Sequence, residues 1–270
     1  MKTMSGKPQL GAATEYPQHY DPGLLVSIPR AEGRAALGDI SFQGVDLWTA
    51  YELSWLNDKG RPAVAIAEFR VPVESPNIVE SKSFKLYLNS LNQARLASPT
   101  QLVDTLKEDL GGAFGSELEV VLYSLDEYAE RGLWRPEGEC LDEIDTHCTH
   151  FEPAPELLAA VGAVVEETLY SHLLKSNCPV TDQPDWATVM VRYRGAAIDR
   201  EGLLRYIVSF RQHQGFHEHC VERIFCDLMA RCAPEWLEVH ARYTRRGGLD
   251  INPSRGSRPL LALPRRDARQ

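Results

Sequence analysis

The sequence predicts an α+β protein built from two related modules, and two observations carry that prediction. Alternating or aromatic-rich segments that suit strands are interleaved with segments whose apolar residues recur at i, i+3 and i+4, which suit helices. The order of segments in the first half then recurs in the second, 119 to 120 residues further on. At 270 residues the chain has room for two domains of ordinary size, and 43% hydrophobic with 25% charged residues is a globular composition.

Residues 1–45 are rich in Gly, Pro and turn formers and predict an irregular arm. A first module is predicted over 46–150. It opens with an aromatic-rich strand at 47–56, turns at Asn57-Asp58-Lys59-Gly60, and returns along a strand at 63–73. Ser98-Pro99-Thr100-Gln101 has the form of a capping box with proline at the first helical position. The helix it opens carries Leu102, Val103, Leu106 and Leu110 on one face. A strand is predicted at 118–125, and the acidic stretch 126–152 as a connection.

A second module is predicted over 151–270. Ala154-Pro155-Glu156 is expected to open a long helix carrying Val161, Val164, Val165, Leu169, Leu173 and Leu174. The stretch Ser176 to Trp186 follows, kept out of a helix by Pro179 and Pro184. Then come a strand at 186–194, a helix at 199–211, a helix with Val221, Ile224, Phe225, Leu228 and Met229 on one face, and a last strand at 236–243. When the halves are superposed, Asn57 falls on Asn177, Tyr87 on Tyr206 and Ser90 on Ser209, while most other positions differ. Cys178 and Asp185 occur only in the second half, and Ser81-Lys82-Ser83 only in the first.

Charge and cysteine usage narrow the class. A net charge of -9 disfavours a general nucleic-acid binder. From Arg242 to Gln270 the charge reverses, with eight Arg against Asp250 and Asp267, so a focused anion site or a solvated tail is expected there. No run of 18 apolar residues predicts a transmembrane helix. Residues 1–19 lack the apolar centre of a signal peptide, so the six cysteines read as free thiols in a reducing cytoplasm.

Three polar clusters could carry chemistry. Cys178 and Asp185 put a thiol and a carboxylate seven residues apart, a nucleophile and a proton donor if a base or local positive potential forms the thiolate. A small buried Cys and a turn Asp are the alternative. His213-Gln214-Gly215-Phe216-His217-Glu218-His219-Cys220 invites a metal reading, yet Gly215 weakens the helix an i, i+4 histidine pair needs, and no paired Cys-x2-Cys accompanies it. A substrate-contacting His-Glu pair and a solvated loop also fit. A similar cluster from Cys140 to His150 has no further support. Ser81, Lys82, Ser83 and Lys85, with Arg245-Arg246-Gly247-Gly248, offer charge with close backbone approach, as phosphate binding requires; solvated charge is the competing reading. Neither G-x-G-x-x-G nor a Walker A sequence is present.

Glu80-Ser81-Lys82-Ser83-Phe84-Lys85-Leu86-Tyr87 resembles the signature of the QueF family, the NADPH-dependent 7-cyano-7-deazaguanine reductases of queuosine biosynthesis. Asn177-Cys178-Pro179 with Asp185, Phe216-His217-Glu218, and Arg245-Arg246-Gly247-Gly248-Leu249-Asp250-Ile251-Asn252-Pro253 resemble the same family in its long, two-module form. The resemblance implies two tandem tunnelling-fold modules, each an antiparallel sheet with helices on one face, in a cytoplasmic homodimer. It implies reduction of a nitrile to a primary amine with two NADPH, on the free base and without tRNA contact. Cys178 would form a covalent thioimide and Asp185 would protonate the nitrile nitrogen. His217 and Glu218, with Val79, Glu80 and Ser81, would bind the base, in a site at a module or subunit boundary. Ser81, Lys82, Arg246 and Gly247 would hold NADPH, and no metal is implied. A purine- or pterin-handling hydrolase using Cys178, or a non-catalytic base-binding module, would share the fold.

Overall fold

The computed structural model describes residues 16–38 and 41–270; the rest of the predicted arm lies outside the described residues. Within the arm there is regular structure: β1 (Ser27–Pro29) and α1 (Arg30–Arg34), with β1 pairing antiparallel to β4 (Asn77–Val79). The arm is anchored by charge rather than by apolar periodicity, which is why its sequence looks irregular. Arg30 reaches Asp46 at 2.6 Å with both side chains buried, and Arg34 reaches the buried Glu222 at 2.7 Å.

The first half builds a hairpin from β2 (Gln43–Leu56) and β3 (Pro62–Pro72), turning at Asn57–Gly60 as predicted. After β4 come α2 (Ser81–Ser90) and α3 (Pro99–Phe114), then β5 (Glu119–Tyr123), which pairs with β3. Leu102, Leu106, Leu110 and Phe114 of α3 are buried. Only half of the predicted capping box forms: Ser98 accepts from the Gln101 backbone N–H, but the Gln101 side chain accepts from Ala97 instead of Ser98. The acidic connection is not featureless. It contains α4 (Leu125–Glu130), opened by a complete Ser124–Glu127 capping box, and the two-residue strand β6 (Glu139–Cys140).

The second half departs from prediction at its start. The segment expected as a long helix is β7 (Ala160–Asn177), paired antiparallel along its length with β8 (Pro184–Ile198). Pro155 opens only a single 3-10 turn at Pro155–Leu157. Two register irregularities, at 160/164 and 171/174, explain the misreading. Each shifts the alternation, and apolar residues also stand on the solvent side, so the set 161, 164, 165, 169, 173, 174 falls at spacings that imitate a helix. Val161, Val164 and Leu173 are exposed, whereas Leu169 and Leu174 are fully buried. The elements α5 (Arg200–Ser209) and α6 (His217–Cys232) agree with prediction. The strand at 236–243 is present as β9 (Trp236–Tyr243) but is not the last; β10 (Leu249–Gly256) follows it.

One sheet runs through both halves in the order β5-β3-β2-β10-β9-β8-β7-β6, antiparallel throughout except for the short β6–β7 contact. The junction is β2 against β10, in register from Leu249↔Ala50 to Gly256↔Gln43. The two halves share details finer than element order. Tyr87 donates to Asp109 at 2.5 Å and Tyr206 to Asp227 at 2.6 Å, while Ser90 and Ser209 each donate to the carbonyl of that tyrosine at 2.6 Å. These are the Tyr and Ser pairs that the superposed sequences align.

Two apolar cores lie on the same face of the sheet. One joins α2 and α3 to Trp48, Phe69 and Ile251; the other joins α5 and α6 to Leu169, Val191 and Val239. Between them sits a buried ion cluster, with Arg255 at 2.8 Å from both Asp46 and Glu222. The basic C-terminal segment is therefore no solvated tail: Arg242 and Arg255 are buried, and Gln270 donates to Tyr243, Asp250 and Asn252 on the opposite face of the sheet. On that opposite face α4 also packs, through Tyr128 against Tyr51.

Candidate active site

The loop Cys178–Gln183 joins β7 to β8 and is closed by its own backbone. Cys178 donates to the Gln183 carbonyl and accepts from the Asp182 N–H, each at 2.9 Å. Asp182 takes a left-handed conformation (φ 58), which Asp tolerates better than most residues. Pro179 denies the loop a helical continuation. Cys178 is buried, at 6% exposure. Burial pushes its thiol up, but the Thr181 hydroxyl, the Val180 and Thr181 backbone N–H groups and the Arg246 guanidinium together hold it below the ordinary thiol range. The sulfur thus has the local positive potential that a nucleophilic thiolate needs.

Asp185, the second residue of β8, points into the same space at 2% exposure. Arg246 Nε lies 2.8 Å from its Oδ1 and His217 Nε2 lies 3.2 Å from its Oδ2. The imidazole is fixed in turn, stacked on Tyr243 at 3.7 Å between centroids and 3° between planes. Arg246 is returned over the site by the turn joining β9 to β10. Gly247 (φ 59) and Gly248 (φ 77) are consecutive left-handed residues, the requirement of a tight hairpin turn whose twist matches its strands. The paired glycines are accounted for by this turn, and Arg246 also donates to Gln183 at 2.7 Å.

His217 and Glu218 occupy the first turn of α6, which has no side-chain cap. Glu218 is 2% exposed and its carboxyl is pushed up to about 8, first by burial and then by the buried Asp46. From the first half, Val79 and Ser81 meet these groups at the start of α2. Together with Pro179, Phe216, Arg246 and Ile251 they enclose a pocket of about 20 Å³. A larger open groove of about 830 Å³ beside Arg70 and Lys107 shares no residue with it and gathers no such set of perturbed groups.

Most predicted residues meet, and they do so within one chain, at the boundary between its halves. Cys178, Asp185, His217, Glu218, Val79, Ser81 and Arg246 all line the pocket. Glu80 does not. Its carboxylate accepts from the Lys82 and Ser83 N–H groups at 2.8 and 2.7 Å as the N-cap of α2. The Lys82 side chain is exposed, and Gly247 lies against Lys85. Lys85 is the more embedded cation: burial, then Arg246, lowers its pKa, while Glu80, Asp185 and Cys178 oppose that shift. Thr181 and Asp46 were not expected near the site, and Lys85 was marked only as part of the basic cluster. Thr181 and Lys85 stand inside motifs already marked, but nothing in the sequence separates Asp46 from any other acid at a strand start.

Comparison with known proteins agrees over most of the chain. Residues 16–122 match the family described as nitrile reductase, 7-cyano-7-deazaguanine-reductase N-term, and residues 184–258 match the family described as QueF-like protein. Three curated relatives carry the name NADPH-dependent 7-cyano-7-deazaguanine reductase. The one from Dechloromonas aromatica is 58% identical over 92% of this chain and 89% of its own length. That from Bordetella avium is 56% identical over 92% of each chain, and that from Chromohalobacter salexigens 54% over 95% and 93%. The crystal structure of the archaeosine synthase QueF-Like in the apo form overlaps 35% of this chain and 94% of its own, at 18% identity and a TM-score of 0.31, too little for a comparison of sites.

Proposed function

The chain belongs to the NADPH-dependent 7-cyano-7-deazaguanine reductase family and is an oxidoreductase with NADPH as co-substrate; on that premise we propose how its own residues carry the reaction. The substrate is 7-cyano-7-deazaguanine, reduced as the free base to 7-aminomethyl-7-deazaguanine in queuosine biosynthesis. The chain acts in the cytoplasm as a homodimer and needs no nucleic-acid surface, in keeping with its acidic net charge.

The observation that carries this reading is the convergence of a thiol held below its ordinary range, a buried Asp–His contact and a buried carboxyl on one small pocket. Cys178 adds to the nitrile carbon, and the nitrogen that gains the electron pair takes a proton from Asp185, directly or through His217. The product is a thioimide. NADPH supplies hydride to the thioimide carbon, the carbon–sulfur bond then breaks, and Cys178 leaves as thiolate. The resulting imine accepts a second hydride and a second proton to give the amine. Glu218, when ionised, accepts the paired N–H groups of the guanine-like edge. His217, Val79, Glu80 and Ser81 complete the base site, Glu80 by fixing the start of α2. Ser81, Lys82, Arg246 and Gly247 hold NADPH, with Lys85 beside them; cations there favour the 2′-phosphate that distinguishes NADPH from NADH. A pocket of about 20 Å³ has room for roughly one water. Seating a bicyclic base therefore displaces Arg246 or the exposed tip of the Cys178 loop.

The test is stoichiometric. NADPH oxidation in the presence of the nitrile should consume two equivalents per base, and Asp185→Asn should still bind the base while turning over about 10²–10⁴-fold more slowly. Loss of nitrile without NADPH oxidation, or near-normal turnover by Asp185→Asn, would contradict the proposal.

A further inference from the structure

The acidic connection that the reaction leaves unused holds a second constellation. Cys140 in β6 and Asp142 just after it face His172 of β7, and one ligand-type atom from each lies within 4.8 Å of the others. Tyr170 points to the face of the sheet opposite α5 and α6, since its register partner Met190 lies between Val189 and Val191 of the core, and His172, inside the irregularity that follows, reaches Thr188 between Ala187 and Val189. Along the strand, His172 is roughly 20 Å from Cys178.

The hydrogen bonds around His172 fix its tautomer. The Thr188 hydroxyl donates its one proton to Asp267 at 2.7 Å and accepts from Arg269 at 3.0 Å. Its remaining lone pair faces His172 Nδ1 at 2.9 Å, so Nδ1 must be the protonated nitrogen. In the neutral ring Nε2 then carries the unshared pair. This is the outer-shell arrangement that orients metal-binding imidazoles. Asp142 is likewise held, accepting from the Ser171 hydroxyl at 2.6 Å and from the His172 N–H at 3.1 Å. Cys140 is in a chain with no disulfide among its described cysteines, and its thiol faces the Tyr170 hydroxyl.

We propose that Cys140, Asp142 and His172 form a site for a borderline-soft divalent cation of the zinc class, with water in the fourth position. Sulfur, imidazole nitrogen and carboxylate oxygen are the donors such an ion takes, at about 2.3, 2.0 and 2.1 Å, which places donors roughly 3.5 Å apart in a tetrahedral shell. Binding would draw the present triangle, whose atoms lie within 4.8 Å of one another, in to that spacing. The site is structural in position. β6 is tied to β7 by only two register pairs, Glu139↔Leu169 and Cys140↔Tyr170, and the ion would staple the connection between the halves to the sheet edge.

Cobalt(II) added to the chelator-treated full chain reports on the site directly. A thiolate-to-cobalt charge-transfer band with tetrahedral d–d bands should appear, persist in Cys178→Ala, and be lost in Cys140→Ser and in His172→Gln. Zinc should abolish the cobalt spectrum and raise the melting temperature of the wild type but not of Cys140→Ser. NADPH oxidation rates of Cys140→Ser and His172→Gln should match wild type, which shows both variants folded. The proposal fails if no charge-transfer band forms, if it survives in Cys140→Ser, or if it vanishes in Cys178→Ala, which would place the ion on the other thiol.

Discussion

Among single residues, Glu218 makes the most distinctive prediction. Its carboxyl, pushed up to about 8 by burial and Asp46, carries a proton at neutral pH, whereas the proposed contact with the base needs an ionised acceptor. Binding should therefore release a proton, and affinity should rise by up to about tenfold per pH unit below about pH 8 and level off above it. Calorimetry in buffers of different ionisation enthalpy measures that proton; its absence in wild type, or its persistence in Glu218→Gln, would refute the assignment. The same shift acts on the free protein. A carboxyl raised above its unfolded value of 4.5 contributes stability fully present below pH 4.5 and lost as pH climbs through about 8. Most residues lining the candidate pocket were legible because they sit in contiguous motifs around Cys178, His217 and Arg246. The origin of the Glu218 shift was not, since Asp46 approaches it only through the fold.

At the level of elements, β7 separates two physical accounts of one apolar pattern. As a helix, Val161, Val165 and Leu169 would share a buried stripe. As a bulged strand, Leu169 is fully buried beside Val191 while Val161 is 71% exposed. Leu169→Ala should then cost about 2–5 kcal/mol in denaturant unfolding, and Val161→Ala no more than about 0.5 kcal/mol. Comparable losses at both positions would favour the helix. The helices α3, α5 and α6 were readable because no irregularity interrupts their 3.6-residue period. β7 was not, because apolar residues on its solvent side, Val161, Val164 and Leu173, combine with two register irregularities to break the period of 2, and a sequence announces neither. β10 escaped for another reason: Asp250 and Asn252 accept from Gln270 of the tail and Ser254 meets His240, so its alternation carries polar residues and reads as a turn sequence.

In the molecule as a whole, the candidate site depends on one sheet spanning both halves, with Arg255 at their junction. Arg255 is fully buried between Asp46 and Glu222, and Arg30 and Arg34 bring the arm to the same two acids. Removing one member leaves buried charge uncompensated, so Arg255→Ala should lower unfolding free energy by about 3–5 kcal/mol. It should also weaken base binding, because Asp46 stands behind Glu218. An unfolding change under about 1 kcal/mol would mean that the cluster is hydrated and the halves are less tightly joined than their contacts indicate. The duplication foreshadowed this architecture through Tyr87/Tyr206 and Ser90/Ser209. How the halves join did not appear in it, because β2–β10 pairing links unlike strands.

The central claim is that Cys178 becomes covalently bound to the nitrile carbon. Intact-mass measurement after mixing the protein with 7-cyano-7-deazaguanine under anaerobic conditions, without NADPH, tests it most directly. Wild type should gain the mass of one base, lose it when NADPH is added, and Cys178→Ala should gain nothing. An adduct on Cys178→Ala, or none on wild-type protein shown to bind the base, would contradict the account.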